Sequence, residues 1–463
     1  MNLLRTPVML AAGAATLLLS SFHPRPTPPP PAAGWQSLFD GKTLTGWKRL
    51  AGTADYKVEN GAIVGTTVAG SGNTFLVTEQ EYGDFALELD VKIDDPGNNS
   101  GVQTRSHFDT PAQPGQVFGR QVEIDPSARS WSGGVYDEAR RQWLYPLDLH
   151  PQAKTAFKVG QYNHLKVECL GNEMKTWVNG VPVAYVVDPV DPTGFIGLQV
   201  HAVSEAAQAG HKVYFKNIRI KTKDLRPSDF PADVYVVNFV PNYLSNYEKQ
   251  HGWQLLFDGK TSQGWRSAKG TAFPAQGWQI ADGTLTVLPS EGKEAANGGD
   301  IVTQAEYAAF DLSFEFKLTP GANSGLKYFV TLAEKTDMSA IGLEYQVLDD
   351  ALHPDAKLGR DGDRTLASLY DLQTANKPPR FIHPIGEWNV GRVVVYPNNH
   401  VEHYLNGAKV LEYDRGSPAF RALVAQSKYH VWPNFGEAPA GHLLLQDHGN
   451  RVSFRSIKLK KLK

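Results

Sequence analysis

Apolar and polar residues alternate with a period of two along much of this chain. The clearest stretches are 86–93, 164–168 and 212–220 in the first half, and 310–318 and 391–396 in the second. Because successive side chains of a β-strand point to opposite faces, this alternation predicts strands with one buried face. Long stretches with the 3.6-residue period of an amphipathic helix are absent. The pattern therefore predicts an all-β protein.

The two halves of the chain carry the same motifs in the same order. Residues 34–48 read GWQSLFDGKTLTGWK, and residues 252–266 read GWQLLFDGKTSQGWR. Further matching pairs are Asn99-Ser-Gly101 with Asn323-Ser-Gly325, Asn179-Gly180 with Asn406-Gly407, and the LQ-x-H motifs that end at His201 and His448. Each copy is too long for a solenoid repeat unit, so the repeat predicts two homologous domains. The Asn-Gly pairs predict type I′ hairpin turns.

Many short strands separated by Gly, Pro, Asn and Asp are typical of a two-sheet jelly-roll sandwich, which we predict for each domain. The predicted segments are a signal peptide over 1–22, a Pro-rich linker over 23–33, the first domain over 34–223, a connector over 224–250 and the second domain over 251–463. The end of the connector, NYLSNYEKQ, predicts a short helix that leads into the second domain.

The N-terminus has the pattern of an export signal. Arg5 precedes an apolar run over 8–19, which is shorter than the roughly 20 residues needed to span a bilayer. We therefore expect a secretory signal peptide and a periplasmic or extracellular protein, with a buried N-terminal helix as the alternative. No other segment predicts a membrane span, and the prolines of the linker indicate an extended spacer.

Charge and motif content exclude several classes of function. The 46 Lys and Arg nearly balance the 48 Asp and Glu, and without a basic stripe a nucleic-acid partner is not expected. Cys169 is the single cysteine, which excludes an intramolecular disulfide and predicts a small strand residue. The chain has no HExxH, GxSxG, P-loop or paired CxxC motif, so zincin, serine-esterase, NTPase and zinc-ribbon functions lack support.

Taken together, the motifs LFDGKT..GW, NSG, a mid-chain strand with Glu, W-x-NG, and LQ-x-H followed by F-x-N-I resemble a bacterial family. It is the 3-keto-disaccharide hydrolase domain family, and the resemblance covers both copies. The resemblance implies a concanavalin-A-like jelly roll in an exported protein. It also implies a carbohydrate substrate, a glycoside whose sugar C3 has been oxidised to a ketone.

A C3 ketone makes the C2 hydrogen acidic, so cleavage by elimination needs a base, a group that stabilises the enolate and a proton for the leaving group. The candidate catalytic residues are Glu123, His201, Glu344 and His448. Glu123 and Asp125 are two residues apart on a predicted strand and share a face. We align Glu344 with Glu123, which places Gln346 at the Asp125 position. The alternatives are a structurally paired carboxylate and a His bonded to a loop carbonyl.

Polar and aromatic residues around these positions are candidates for substrate binding. They are Asn99, Arg105, Asp125, Tyr136, Asn323, Lys327, Gln346 and Tyr370. A guanidinium or ammonium can hold a sugar or enolate oxygen, and a tyrosine ring can stack on a sugar. Tight turns and core packing are the structural alternatives for the Asn and Tyr residues. The sequence assigns no cofactor, although the Glu-Asp pair leaves a divalent cation open.

Two other functions remain compatible with the sequence. The first is a non-catalytic, lectin-like protein in which paired sandwiches bind one polysaccharide with avidity. The second is one catalytic domain joined to one binding domain. Phe329, at the position of Arg105, favours divergence of at least one copy. The aglycone and the oligomeric state are not predicted.

Overall fold

The computed structural model describes residues 34–291, 293–335 and 339–463. The predicted signal peptide and Pro-rich linker, residues 1–22 and 23–33, lie outside this range. Within it, none of the helices combines the length and the apolar character that a membrane span requires.

The first domain is a sandwich of two sheets. Its strands are β1 (Trp35–Ser37), β2 (Trp47–Ala51), β3 (Asp55–Glu59), β4 (Ala62–Thr66), β5 (Thr74–Thr78), β6 (Phe85–Ile93), β7 (Ser100–Thr110), β8 (Gln113–Ile124), β9 (Val135–Glu138), β10 (Gln142–Tyr145), β11 (Asn163–Leu170), β12 (Glu173–Val178), β13 (Val181–Val187), β14 (Phe195–Val200), β15 (Lys212–Lys221) and β16 (Val236–Asn238). The larger sheet has the order β16-β13-β12-β11-β6-β15-β4-β3, with β1 beside β15. The smaller sheet has the order β10-β9-β8-β7-β14-β5-β2.

The second domain repeats this arrangement. Its strands are β17 (Trp253–Leu255), β18 (Trp265–Ser267), β19 (Trp278–Ala281), β20 (Thr284–Val287), β21 (Ile301–Thr303), β22 (Phe310–Leu318), β23 (Asn323–Val330), β24 (Leu343–Leu348), β25 (Trp388–Val395), β26 (His400–Leu405), β27 (Ala408–Asp414), β28 (His442–Leu445) and β29 (Val452–Lys461). The larger sheet has the order β19-β20-β29-β22-β25-β26-β27, with β17 beside β29. The smaller sheet has the order β18-β21-β28-β23-β24.

Helices are few and short. The α-helices are α1 (Asn246–Gln250) and α2 (Pro418–Gln426), and the 3-10 helices are Leu147–Leu149, Pro151–Thr155, Ala206–Gln208, Pro354–Lys357, Pro379–Phe381 and Lys428–Val431. Helix α1 confirms the predicted helix in the connector. It begins at a capping box, in which Ser245 accepts a hydrogen bond from the Glu248 amide and the Glu248 side chain accepts one from the Ser245 amide.

The all-β prediction and the prediction of two sandwich domains are confirmed. Both predicted Asn-Gly turns have positive φ at both residues, 51° and 80° at Asn179-Gly180 and 47° and 83° at Asn406-Gly407. A type I′ turn requires positive φ at both central residues, and hairpins favour this turn because its twist matches that of the flanking strands. Cys169 lies buried in β11 as a free thiol, in agreement with its predicted place in a strand.

Strand β22 departs from the prediction of one buried face, because eight of its nine residues are buried. Its second face packs against the connector, whose Tyr235 hydroxyl donates to Ser313 Oγ at 3.1 Å. On the same face the Arg392 guanidinium binds the Asp311 carboxylate with two hydrogen bonds of 2.7 Å. The connector joins the first domain too, since β16 pairs in parallel with β13. The two domains therefore share an interface that contains buried polar contacts.

The smaller sheet of each domain has one face in the core and one face that points away from it. Core residues on these strands are Val102, Val122 and Leu198 in the first domain and Leu326, Tyr345 and Leu445 in the second. The neighbouring residues point the other way because strand side chains alternate. These are Gln103, Gln121 and Gln199 in the first domain and Lys327, Glu344 and Gln446 in the second. The candidate residues on these strands, apart from Arg105, therefore lie on this outer face.

Candidate functional site

The register of the smaller sheets corrects the predicted alignment of the two Glu residues. The paired residues are Gly101 with Glu123 and Gln103 with Gln121 in the first domain, and Gly325 with Gln346 and Lys327 with Glu344 in the second. Glu344 therefore occupies the position of Gln121, and Gln346 that of Glu123. Aligning Glu344 with Glu123, and Gln346 with Asp125, was wrong. A slip of two residues keeps every side chain on its predicted face, so alternation alone cannot detect it.

Side-chain contacts agree with this corrected alignment. A Cβ built on Gly101 would lie 2.2 Å from the Gln121 side chain, and one built on Gly325 would lie 2.1 Å from Glu344 Oε1. Each glycine therefore leaves room for the side chain that crosses it. The two domains carry one Glu and one Gln on this strand face, in opposite order.

In the second domain, a cavity of about 340 Å³ lies over the outer face of the smaller sheet. Six of the predicted residues line it, namely Asn323, Lys327, Glu344, Gln346, Tyr370 and His448. They come from β23, β24, the segment after β24 and the segment after β28, which the fold brings together from distant parts of the sequence. The structure thus places every candidate residue of the second copy around one cavity.

Glu344 is the buried acid of this cavity, with 4% of its surface exposed. Burial raises its pKa to about 7, although two nearby ammonium groups, Lys327 and Lys428, act to lower it. The Lys327 Nζ lies 4.0 Å from Glu344 Oε2 and donates to Ser339 Oγ at 2.6 Å. The carboxyl group therefore has the pKa near neutral pH that a general base requires. Two cations lie beside it.

Lys428 was not predicted from the sequence. It lies in the connection between β27 and β28, residues 415–441, which contains α2 and the 3-10 helix Lys428–Val431. The equivalent connection of the first domain, between β13 and β14, is only residues 188–194. Since no motif marks the insertion, its extra length was the only signal. The insertion adds a cation to the second site that the first copy lacks.

Contacts on both sides hold Lys428 in the cavity. Its backbone amide donates to Asp371 Oδ2 at 2.7 Å, and its Nζ lies 4.3 Å from the centre of the Tyr370 ring. Burial lowers the pKa of the Lys428 ammonium, which eases proton donation. The Tyr370 hydroxyl donates to Asp355 Oδ2 at 2.8 Å. The Tyr370 ring therefore lies against the Lys428 ammonium, and the hydrogen bond from its hydroxyl to Asp355 holds the ring in place.

Three buried polar atoms around this cavity have no hydrogen-bond partner among the described residues. They are Asn323 Oδ1, Gln346 Oε1 and His448 Nδ1. Buried polar atoms are normally paired, because an unpaired one keeps its full desolvation cost. Their convergence on one polar cavity fits a ligand with several hydroxyl groups.

In the first domain, Glu123 is bound by amides. Asn99 Nδ2 donates to Glu123 Oε1 at 2.8 Å, and Gln121 Nε2 donates to Oε2 at 2.9 Å. Burial raises the Glu123 pKa to about 7. Next to it, Gln103 Nε2 donates to Gln121 Oε1 at 2.9 Å. A neutral pair of amides thus stands where the second domain has Lys327 and Glu344.

Asp125 and His201 lie beside Glu123 but have partners of their own. Asp125 Oδ2 accepts from Arg129 Nε at 2.8 Å, so its charge is compensated. His201 Nδ1 lies 2.7 Å from the backbone oxygen of Ala202, the loop-carbonyl alternative considered above. Burial lowers the pKa of His201. Tyr136 packs edge-to-face on the Trp143 ring at a centroid distance of 5.2 Å.

Arg105 has a structural role, and the prediction of a substrate clamp there was wrong. Its buried guanidinium donates to the backbone oxygens of Gly83 and Gly171, both at 2.7 Å, and to Asp84 Oδ1 at 2.9 Å. These bonds tie loops of the first domain together. Phe329 takes the equivalent bulge position, and both residues have positive φ, 48° and 55°.

Within the part of the chain that the structure describes, neither site brings three potential metal-ligating His, Cys, Asp or Glu side chains together. In the described ranges, the group of three potential ligands within 4.8 Å of one another is His400, Glu402 and Glu412, on β26 and β27 of the larger sheet. Lys409 Nζ already lies 3.1 Å from Glu402 Oε1 and 2.6 Å from Glu412 Oε2. Asp125, the proposed partner of Glu123, is paired with Arg129.

Known proteins resemble about half of the chain. A 3-keto-disaccharide hydrolase from Bacteroides thetaiotaomicron is 38% identical over 232 residues, which covers 46% of this chain and 79% of the relative. A solved candidate glycosyl hydrolase from Parabacteroides distasonis is 30% identical, with 48% of this chain and all of that chain covered and a TM-score of 0.41. The carbohydrate-binding module CBM66 from Bacillus subtilis is 22% identical over 39% of this chain and 98% of that one, with a TM-score of 0.28.

The relationship to the B. thetaiotaomicron hydrolase supports a glycoside-cleaving function. Residues 34–221 and 252–460 each match the 3-keto-alpha-glucoside-1,2-lyase-like domain. The chain therefore belongs to this family and contains two copies of its domain.

Proposed function

We propose that this protein is an exported enzyme that cleaves 3-keto-glycosides by base-assisted elimination, and that its active site is the cavity of the second domain. The observation that carries the proposal is Glu344, a buried carboxyl group with a pKa of about 7 that faces two ammonium groups. An elimination next to a ketone needs this combination of a base and positive charge. Family membership supports the class of substrate.

The first step removes the proton from C2 of the 3-keto sugar. The Glu344 carboxylate takes the proton, and the C–H electron pair forms the enolate of the C3 ketone. Lys327 and Lys428 stabilise the negative oxygen, because charge–charge attraction is strong where water is excluded. Asn323, Gln346 and His448, whose buried polar atoms lack protein partners, bind sugar hydroxyls.

The second step breaks the glycosidic bond. The enolate returns to the ketone as a C1=C2 double bond forms, and the C1–O bond electrons leave with the aglycone oxygen. Lys428 gives this oxygen a proton and regains one from protonated Glu344. Addition of water across C1=C2 then completes net hydrolysis.

The direct test is product release from a 3-keto-glucoside with a chromogenic leaving group. We expect the protein without residues 1–33 to cleave this substrate. It should not cleave the matching unoxidised glucoside, because the C2 hydrogen of that sugar is not acidic. A chelator is expected to leave the rate unchanged. If neither glucoside is cleaved while both are bound, the protein is a carbohydrate-binding protein instead.

Lys428→Met is expected to change the pH profile as well as the rate. Because the Lys428 ammonium lowers the pKa of Glu344, its removal raises that pKa and moves the acid limb of kcat/KM to higher pH. Loss of one group that stabilises the enolate should cost on the order of 10²-fold in kcat.

Lys428→Arg is the matched variant for this test. It keeps the charge and should keep the acid limb in place. An unshifted limb in Lys428→Met, measured from pH 5 to pH 9, would show that Lys428 does not act on Glu344.

A further inference from the structure

We propose that the outer face of the smaller sheet in the first domain is a second saccharide site, which binds an unoxidised sugar without cleaving it, and that Arg380 of the second domain forms part of its rim. The site is distinct from the cavity around Glu344, and the proposal does not depend on the 3-keto substrate.

The first site lacks the groups that make the second one reactive. Gln103 and Gln121 replace the Lys–Glu pair and bond to each other. Both oxygens of Glu123 accept an amide hydrogen bond, which holds the carboxylate as a fixed acceptor. The connection over residues 188–194 is too short to bring a counterpart of Lys428. The site therefore offers hydrogen bonds to a sugar and has no counterpart of the Lys327, Glu344 and Lys428 group of the second site.

Gln199 points to a ligand at this face. It is fully buried, and neither its Nε2 nor its Oε1 has a partner among the described residues. It lies on the outer face because Gly197, two residues earlier, pairs with Gln103. The equivalent residue of the second domain, Gln446, lines the cavity of Glu344.

The unpaired atoms also indicate what kind of ligand fits. Asn99 Oδ1 is unpaired in the same way as Gln199 Oε1, while Gln199 Nε2 is an unpaired donor. A hydroxyl group both donates and accepts, so it can satisfy unpaired groups of either kind. A neutral saccharide, which carries several hydroxyls, matches this set.

Aromatic rings and two arginines lie beside these amides. The Arg129 guanidinium lies over the Trp131 ring at 4.9 Å and the Trp143 ring at 5.3 Å. From the second domain, the Arg380 guanidinium lies 5.4 Å from the Trp131 ring, and Phe381 packs edge-to-face on the same ring at 5.9 Å. Phe381 is buried against the first domain, whereas Arg380 is exposed.

Arg380 contacts the first domain through the Trp131 ring, and its exposed guanidinium can also reach a ligand at this rim. In the described ranges it makes no ion pair, and the charges of Arg129 and Asp125 act on it from nearby. Arg380 and Trp143 both line a cavity of about 760 Å³ between the domains. Because Trp143 packs edge-to-face on Trp131 at 4.6 Å, the cavity adjoins the aromatic rim of the first site.

Isothermal titration calorimetry on the chain with Glu344→Gln, which separates binding from turnover, tests the proposal. The probes are sucrose, trehalose and cellobiose. We expect at least one to bind with one site per chain. Arg380→Ala in this background should weaken binding at least fivefold, and Arg219→Ala, an exposed arginine on the larger sheet, should not.

Gln199→Leu provides a second, independent measurement. It should abolish saccharide binding and leave the Tm unchanged or higher, since it removes a buried amide that has no protein partner. If Gln199 were only structural, the Tm would fall instead. Binding that survives both Gln199→Leu and Arg380→Ala, or no binding of any of the three sugars, would overturn the proposal. Neither result bears on cleavage of 3-keto-glucosides, which is measured separately.

Discussion

Glu344→Gln is expected to reduce kcat/KM on a chromogenic 3-keto-glucoside by about 10²–10⁴-fold, the usual contribution of a general base. The amide fills the same space beside Lys327 but cannot take the C2 proton. In the wild-type protein, kcat/KM should rise with pH through about pH 7, because only the ionised carboxylate is a base and burial raises the Glu344 pKa to about 7.

Glu123→Gln gives the comparison in the other copy. Since the Glu123 pKa is also about 7, the pH profile alone does not identify the active domain. A large loss of activity in Glu123→Gln, with Glu344→Gln still active, would place the catalytic centre in the first domain.

A stability measurement separates loss of the base from misfolding. The Glu344 pKa is raised from 4.5 to about 7 in the folded chain, so the folded state holds this proton more tightly than the unfolded state. Its contribution to the free energy of unfolding is therefore complete below about pH 4.5 and is lost as the pH rises towards 7. Glu344→Gln should accordingly raise the Tm relative to wild type at pH 8 more than at pH 5. A lower Tm at pH 8 would indicate that the variant is misfolded.

Asp311→Ala is expected to lower the free energy of unfolding by about 3–5 kcal/mol, as when one member of a buried ion pair is removed. Arg392 is 9% exposed and Asp311 7%, and the two bonds between them hold the guanidinium 4.0 Å from the centre of the Tyr235 ring. Without the carboxylate, the charge of Arg392 stays buried at the domain interface. Urea denaturation followed by tryptophan fluorescence gives the change.

The double variant Asp311→Leu with Arg392→Met is the control for this prediction. It removes both charges and should cost much less than Asp311→Ala, because no unpaired charge remains. Equal costs would mean that the stability comes from packing around these side chains and not from compensation of the charge.

The sequence by itself determined the fold class, the two domains and most of the candidate residues of the second site. Period-two alternation depends only on which residues avoid water, so it predicted strands such as β6. The Asn-Gly turns and the capping box of α1 are local, since each is set by the conformational preferences of a few adjacent residues. The repeat located equivalent motifs, and in the second copy all the residues chosen from them line one cavity.

Only the tertiary structure decided which residues are equivalent and which ones meet. Strand register placed Glu344 at the position of Gln121, because alternation is unchanged by a slip of two residues. Lys428 lies at the second site and Arg380 beside the first. Each comes from a segment without a shared motif and is brought there by packing between residues far apart in the chain. The same packing buried both faces of β22 and engaged Arg105 in loop contacts. Such contacts depend on the three-dimensional arrangement of the whole chain, which local sequence patterns do not encode.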